Sequence, residues 1–398
     1  MQLRMKAKSM AEHVLALNAG SSSLKFALYE LVEDRRPSMR WRGQIERLGD
    51  APRLLAQSAG GRSVDRQLSG AKTHDEAISA FLELTREYLP DIHVRAVGHR
   101  VVHGGPVYSE PVVVDEHVFD TLSGFIPFAP LHQPYSLAGI KAAAAAFPGT
   151  TQIACFDTAF HRTHPWVNDT FALPQRFYEK GVRRYGFHGL SYDYVSQKLK
   201  EIAPGLYDGR VVIAHLGNGA SMCAVSGGRA VASTMGFSAL DGLPMGTRSG
   251  QLDPGVVLYM MQQEGMEADE IAELLYRKSG LLGLSGMSSD MRTLLAADTP
   301  DARKAIEYYV FRIRRELGAL SAALEGIDAL VFTGGIGENA ARIRQMVCEG
   351  MRWIGIDMDP NRNADNATVL STDFSRVRIL AIPTNEEMVI ARAAARMA

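Results

Sequence analysis

At 398 residues the chain is longer than the roughly 250–300 residues that one hydrophobic core usually supports, so two domains are expected. An apolar fraction of 46%, a charged fraction of 22% and a net charge of -1 describe a globular protein with no electrostatic reason to bind nucleic acid or an anionic membrane. Cys155, Cys223 and Cys348 are too few and too scattered for a disulfide framework or a thiolate zinc site. Arg4, Lys6 and Lys8 are followed by no apolar core, which argues against a secretory signal. No apolar run reaches the ~18 residues that span a bilayer, so a cytoplasmic protein is expected.

In chain order, Val14 to Leu17 is a short apolar strand that runs into Asn18-Ala-Gly-Ser-Ser-Ser23, and Leu24, Phe26 and Leu28 alternate as a second strand. The turn offers hydroxyls, an amide and glycine N–H groups, with Lys25 close behind. It suits an anion, although the same polar residues could simply satisfy a hairpin. Gly-x-x-x-x-Gly-Lys is absent, so this is not a Walker loop. Thr73 and Glu76 are spaced as a capping box for a helix burying Ile78, Phe81, Leu82 and Thr85, which Pro90 ends.

Val94 to Val97 is a strand leading into Gly98-His-Arg-Val-Val-His-Gly-Gly105. Arg100 there either points into a cleft or sits on a solvated rim. His132 lies between Pro130 and Pro134, where a histidine is more often a structural hydrogen-bonder than a catalyst. Ser136 to Phe147 reads as a helix, and Gln152 to Phe156 as a strand ending at Asp157, the place where open α/β sheets put ligand groups. Arg183 to Gly189 reads as an ordered loop.

Val211 to His215, Leu216-Gly-Asn-Gly-Ala-Ser221 and Met222 to Val225 repeat the first strand-turn-strand unit about half a chain later, which suggests a duplicated architecture. Gly-rich stretches carrying Arg248 and Asp290-Met-Arg292 follow. Ala305 to Leu324 has the spacing of a long helix packed in the core. Ala329 to Phe332 is a buried strand, followed by three glycines within four positions and a helix from Ala340 to Gly350. Such a turn lets backbone approach a flat or anionic ligand. Ile379 to Ile382 is a strand closed by Pro383. Thr384 and Glu387 are spaced as a capping box, which leaves Glu386 free to point at a metal.

Two turns able to hold phosphate, arginines beside glycine turns and carboxylates at strand and helix ends suit phosphoryl transfer. That chemistry needs cations around the moving group and a hard divalent ion on oxygen ligands. Taken together, Asn18-Ala-Gly-Ser-Ser-Ser, His99-Arg-Val-Val-His-Gly-Gly, Phe156-Asp-Thr-Ala-Phe-His, Arg184-Tyr-Gly-Phe-His-Gly, His215-Leu-Gly-Asn-Gly, Met245-Gly-Thr-Arg-Ser-Gly, Thr333-Gly-Gly-Ile-Gly-Glu-Asn and Thr384-Asn-Glu-Glu resemble the acetate kinase family, in the family order from about Val14 onward. The resemblance implies an α/β chain of two duplicated domains of the acetate and sugar kinase/Hsp70/actin (ribonuclease H-like) type with an interdomain cleft. The domains would be 1–156 plus 386–398, for acyl and phosphate groups, and 157–385, for the nucleotide.

It further implies reversible, Mg²⁺-dependent, in-line transfer of the ATP γ-phosphoryl to acetate, with Mn²⁺ as an alternative metal, a homodimer and a place in acetyl-CoA biosynthesis. Residue by residue, it implies that Arg100 and Arg248 hold the transferred group, that His188 hydrogen-bonds it and stabilises the transition state with Arg248, and that His132 helps position it. Asp157 would orient or activate beside Arg100. Asn18 and Glu386 would serve the metal. Val102, Leu131 and Phe187 would line the acyl pocket. Lys25, His215, Gly217, Asn218 and Gly219 would lie along the phosphates, with Asp290, Met291, Arg292, Gly335, Ile336, Gly337 and Asn339 around adenosine.

Four departures stand out. Ala239 replaces a common proline, a difference worth only ~1–3 kcal/mol of discrimination that makes propionate a candidate acceptor. Tyr192 stands where a second histidine is usual, Met291 where an aromatic is, and Gln251 where an acid is. Alternatives are a propionate or butyrate kinase on the same scaffold and, more distantly, a nucleotide-switched binding protein of the Hsp70/actin type. An appended peptide-binding domain, as an Hsp70 would need, is not evident.

Overall fold

A computed structural model describes residues 11–20, 23–68, 71–88 and 92–398. Ser21 and Ser22 of the first turn, Pro90, and Arg4, Lys6 and Lys8 lie outside the described residues. The chain forms two compact units, Met1–Ala159 with Asn385–Ala398, and Phe160–Thr384.

The first unit is built on strands β1 (Glu12–Ala19), β2 (Ser23–Leu31), β3 (Pro37–Glu46), β4 (Arg53–Ser58), β5 (Ser63–Gln67), β6 (His93–Val101), β7 (Val112–Val113) and β8 (Thr151–Phe156), in the order β5-β4-β3-β2-β1-β6-β8-β7. β1 reads as an unbroken apolar run because β2 and β6 flank it and both its faces are covered. On one face Leu15, Leu17, Phe26 and Leu28 meet Ile78 and Phe81 of the helix His74–Tyr88 and Ala142 and Ala143 of the helix Gln133–Ala146. The Thr73–Glu76 capping box forms, with the Thr73 N–H 2.9 Å from the Glu76 carboxylate and the Glu76 N–H 3.3 Å from the Thr73 hydroxyl. On the other face lies the last helix, Glu386–Met397. Gly98 admits it, since a methyl group there would stand 2.4 Å from Ile390 Cγ2.

The second unit uses β9 (Arg210–Leu216), β10 (Ala220–Ser226), β11 (Arg229–Ser233), β12 (Ala329–Thr333) and β13 (Arg378–Ala381), ordered β11-β10-β9-β12-β13. Two antiparallel pairings followed by two parallel ones repeat the β3-β2-β1-β6-β8 arrangement of the first unit, so the expected duplication is present in the strand directions as well as the motifs. Tyr192, Val195 and Leu199 of the helix Gly189–Ile202 cover one face. The helix Pro300–Ala323 lies against β9, β10 and β11, burying Ile306, Tyr309, Ile313 and Leu317 as its spacing predicts.

Three local expectations need correction. The glycines after β12 are themselves helical: Gly334–Asn339 forms one short helix and Ala341–Cys348 a second, because Gly334 takes φ +76° and turns the chain at once. The last helix is capped by Asn385, whose side chain accepts from Met388 N, and not by Thr384 with Glu387. The helix after His132 begins at Gln133, three residues early, because Pro134 fits its first turn.

Candidate active site

In the first unit the C-terminal ends of three neighbouring parallel strands converge. β1 contributes Asn18, β6 contributes Arg100, and Asp157 follows β8 directly, its N–H donating to Val101 O at 3.1 Å. Arg100 donates to Asp157 from Nε (3.0 Å) and Nη2 (2.5 Å), and from Nη1 to Asn18 Oδ1 (3.2 Å). Glu386, the first residue of the last helix, stands 3.9 Å from Arg100 Nε. Arg100 is thus part of a built cluster and not a solvated rim residue.

Burial opposes charge on Arg100, but Asp157 and Glu386 together outweigh it and hold the guanidinium above its ordinary range. Burial likewise disfavours charge on Glu386, which is pushed up to about 7 against the pull of Arg100. A carboxylate so placed gains from a cation beside it. Lys25 is exposed on β2 directly opposite Asn18 in the strand register, so this expected phosphate contact belongs to the first unit. Val102 is buried just after β6, while Leu131 and His132 are half-buried in the turn before Gln133. Among the described residues no group of three or more His, Cys, Asp or Glu side chains could hold a metal ion. Magnesium does not need one, since it is commonly held by one or two carboxylates plus waters and substrate phosphates.

In the second unit, Gly217, Asn218, Asp290, Met291, Arg292, Gly335, Ile336 and Asn339 all line one cavity of about 620 Å³, joined by Ser289, Leu295 and Ala340. Gly217 is the tip of the β9–β10 turn, and a Cβ on it would lie 3.9 Å from Gly335 N, so this turn faces the start of the helix Gly334–Asn339. Asp290 caps the helix Met291–Ala296 and takes Arg292 Nη2 at 2.6 Å; that bond and the Arg292 N–H hold its carboxyl at about 2. Met291 is buried beneath this rim.

Glu338, which nothing in the sequence singles out, joins the start of the helix Gly334–Asn339 to the end of the unit, accepting from Gly334 N (2.9 Å) and Thr384 N (3.0 Å). Arg344, likewise unmarked in the sequence, is wholly buried and donates to Gly337 O at 2.9 Å and Glu338 O at 2.8 Å, capping the carbonyl end of the pocket helix.

Beside this turn, His188 sits in the left-handed region (φ 58°, ψ 24°), an unusual place for histidine. Its Nδ1 is 2.8 Å from Ser221 Oγ, and its ring stacks on His215 at 4.3 Å; His215 Nδ1 lies 2.8 Å from Ser191 Oγ. Phe187 is buried, with its carbonyl 2.9 Å from His161 Nε2. Arg248 lies in a tight loop where Met245 N donates to its carbonyl at 3.0 Å. The short helix Gly280–Ser285 packs on this loop so closely that a Cβ on Gly280 (φ +62°) would stand 2.2 Å from Met245 O. Gly246 N in turn donates to Asn218 O at 3.1 Å, bringing the Arg248 loop against the β9–β10 turn. Gln251, left without a role by the sequence, accepts from Arg312 Nη2 (2.8 Å) and from Arg315.

Comparison with known proteins agrees with these motifs. The model of the acetokinase family matches residues 13–392. An acetate kinase of Methylocella silvestris is 56% identical over 392 residues, covering 96% of this chain and 97% of that protein. A crystal structure of Porphyromonas gingivalis acetate kinase superposes with a TM-score of 0.87 at 39% identity, over 96% of this chain and 99% of that one. A propionate kinase from Francisella tularensis gives a TM-score of 0.89 at 34% identity, over 96% and 98%. With a family match along nearly its whole length, this chain belongs to the acetokinase family.

Proposed function

We propose that this protein transfers the γ-phosphoryl group of ATP to acetate, reversibly and in line, giving acetyl phosphate and ADP. The observation that carries the acceptor side is Arg100, held in place by Asp157 and Asn18 with its Nε also 3.9 Å from Glu386. A fixed guanidinium fork suits the equatorial oxygens of a transferring phosphoryl better than a lysine would. The cavity lined by Gly217, Asn218, Gly335 and Ile336 suits the nucleotide, with glycine backbone close to phosphate and apolar Met291 and Leu295 toward the base. His215 near the end of β9, Gly219 in the turn after it and Gly337 in the helix Gly334–Asn339 are assigned with them. Arg248 and His188 are assigned to the phosphoryl group, His132 to positioning it, and Val102, Leu131 and Phe187 to the acyl chain.

Magnesium, with manganese as a substitute, fits Glu386, whose carboxylate is disfavoured by burial even beside Arg100; Asn18 Oδ1 offers a second oxygen. Bound there with the nucleotide, the ion would offset charge on the phosphates. The acceptor is already a carboxylate, so the protein need not supply a general base, only a held geometry.

A second acceptor has a specific observation in its favour. Ala239 takes the place of a proline, and the Francisella propionate kinase shares the fold closely, so propionate belongs in any assay. Following acyl phosphate formation by ³¹P NMR with formate, acetate, propionate and butyrate, with and without Mg²⁺, tests the reading. Acetate should be the best acceptor, and ATP hydrolysis indifferent to all four acids would refute it.

The homodimer is proposed on the helix Pro254–Gln262, which is largely apolar yet has no buried residue and exposes Leu258 (53%), Tyr259 (55%) and Met261 (49%). Light scattering should give twice the chain mass, and Leu258→Glu with Met261→Glu should halve it. Cys155, Cys223 and Cys348 are buried, which suits a reducing compartment, and the cytoplasm is the proposed location. Among the described residues, no helix is long and apolar enough to cross a membrane.

A further inference from the structure

Tyr192 has no place in the chemistry above, and it is wholly buried. Its phenol oxygen lies 2.5 Å from Ser221 Oγ, its one hydrogen-bond partner among the described residues. Ser221, also wholly buried, lies in turn 2.8 Å from His188 Nδ1. The three groups therefore form a chain of hydrogen bonds whose direction can be worked out. A phenol has a single proton, and a buried O–H left without an acceptor is costly, so Tyr192 donates to Ser221 Oγ. The Ser221 proton then goes to His188 Nδ1. Nδ1 is an acceptor, and the proton of the neutral ring must sit on Nε2.

The surroundings fit that assignment. A Cβ on Gly219 would come within 3.1 Å of His188 Nε2, so this nitrogen faces the backbone of the turn that also carries Gly217 and Asn218. His215, stacked on the His188 ring, has a serine of its own at Nδ1. His161 and Cys223 lie on the Tyr192 side, where His161 meets the Tyr192 ring edge-on at 5.5 Å.

We propose that Tyr192 is a positioning residue that acts through Ser221 to hold His188 as the neutral tautomer with its proton on Nε2. His188 then offers a hydrogen-bond donor to an oxygen of the phosphoryl group and does not take a proton from it. The inference rests on the reading of His188 as a contact of that group. Without the Tyr192 hydroxyl, Ser221 is free to accept from Nδ1–H, and the ring loses its reason to prefer one tautomer.

Histidine-¹⁵N spectra of the full chain read the tautomer directly, with His188 assigned by its loss in His188→Gln. The wild-type ring should show an unprotonated Nδ1 and a protonated Nε2; a protonated Nδ1 would overturn the inference without any variant. In Tyr192→Phe, checked for folding by its melting temperature, Nδ1 should shift toward the protonated position. Its kcat should fall about five- to tenfold, the size of one hydrogen bond, with the KM for ATP unchanged. Ser221→Ala should do the same, and the double variant should be no worse than Ser221→Ala alone. A His188 spectrum identical in wild type and Tyr192→Phe, beside a collapsed His188→Ala turnover, would remove the relay and leave the functional reading. Full turnover in His188→Ala would remove that reading while the tautomer result stood.

Discussion

Arg100 grips Asp157 along one edge of its guanidinium, with Nη2 2.5 Å from one carboxylate oxygen and Nε 3.0 Å from the other. The carboxylate is 1% exposed and the arginine 23%, so water does little to screen the pair. Removing one partner leaves the other charge largely buried. Asp157→Ala should therefore cost about 3 kcal/mol of stability in urea unfolding, and Asp157→Asn, which keeps an acceptor, clearly less. Turnover should fall in both, since Arg100 is then free to swing toward Glu386, 3.9 Å away.

Arg344 is a buried cation with no carboxylate partner among the described residues. Besides Gly337 O and Glu338 O, it donates to Asn363 Oδ1 (2.8 Å) and O (3.0 Å) and Asn366 Oδ1 (2.6 Å), while burial holds its pKa down. Arg344→Ala strips five acceptors at once and should destabilise the protein by about 3–5 kcal/mol, measured by urea unfolding. Arg344→Lys keeps the charge but not the fork and should recover only part of this.

Gly335 offers a cleaner probe of the pocket. A Cβ added to it meets nothing within 4 Å, and the residue lines the cavity. Gly335→Leu should fold with unchanged or slightly higher melting temperature, since leucine favours a helix over glycine. It should raise the KM for ATP about tenfold or more, a loss of ~1.4 kcal/mol in binding. An unchanged KM would show that the nucleotide lies elsewhere.

Stability should fall in mild acid. His99 and His161 are buried, and burial pulls each from the ordinary 6.5 down to about 4. The unfolded chain takes up these protons near 6.5 while the folded rings refuse them until about 4. Stability is therefore full above 6.5 and declines below it, by up to about 1.4 kcal/mol per pH unit for each histidine. Urea midpoints at pH 7.5, 6.0 and 5.0 would show the decline, and His99→Gln should make it shallower.

Much of this is legible in the sequence itself. The paired strand-turn-strand motifs at Asn18 and Gly217 foretold the duplicated sheets, because apolar runs ending in small polar turns have few other uses. Most residues expected around adenosine line one cavity, since they sit on short segments where position in sequence is nearly position in space. What stayed hidden depends on long-range packing. Arg344 looks in sequence like any exposed helix arginine, and only Asn363 and Asn366, about twenty residues on, make its burial tolerable. Strands β3, β4 and β5 were missed because each buries only one or two apolar residues, too few to make the alternation stand out. Asn385 takes the cap because the helix starts at Glu386, which leaves Thr384 one residue too far back to serve Met388 N.

The central claim is that Arg100 and Arg248 act on the phosphoryl group as it moves, not on the nucleotide at rest. Steady-state kinetics of acetyl phosphate formation in Arg100→Ala and Arg248→Ala test it most directly. The account predicts that kcat falls about 10²–10³-fold in each, the usual cost of one such contact, while the KM for ATP changes little. Near-normal turnover in either variant, or a loss confined to the KM for ATP, would contradict it.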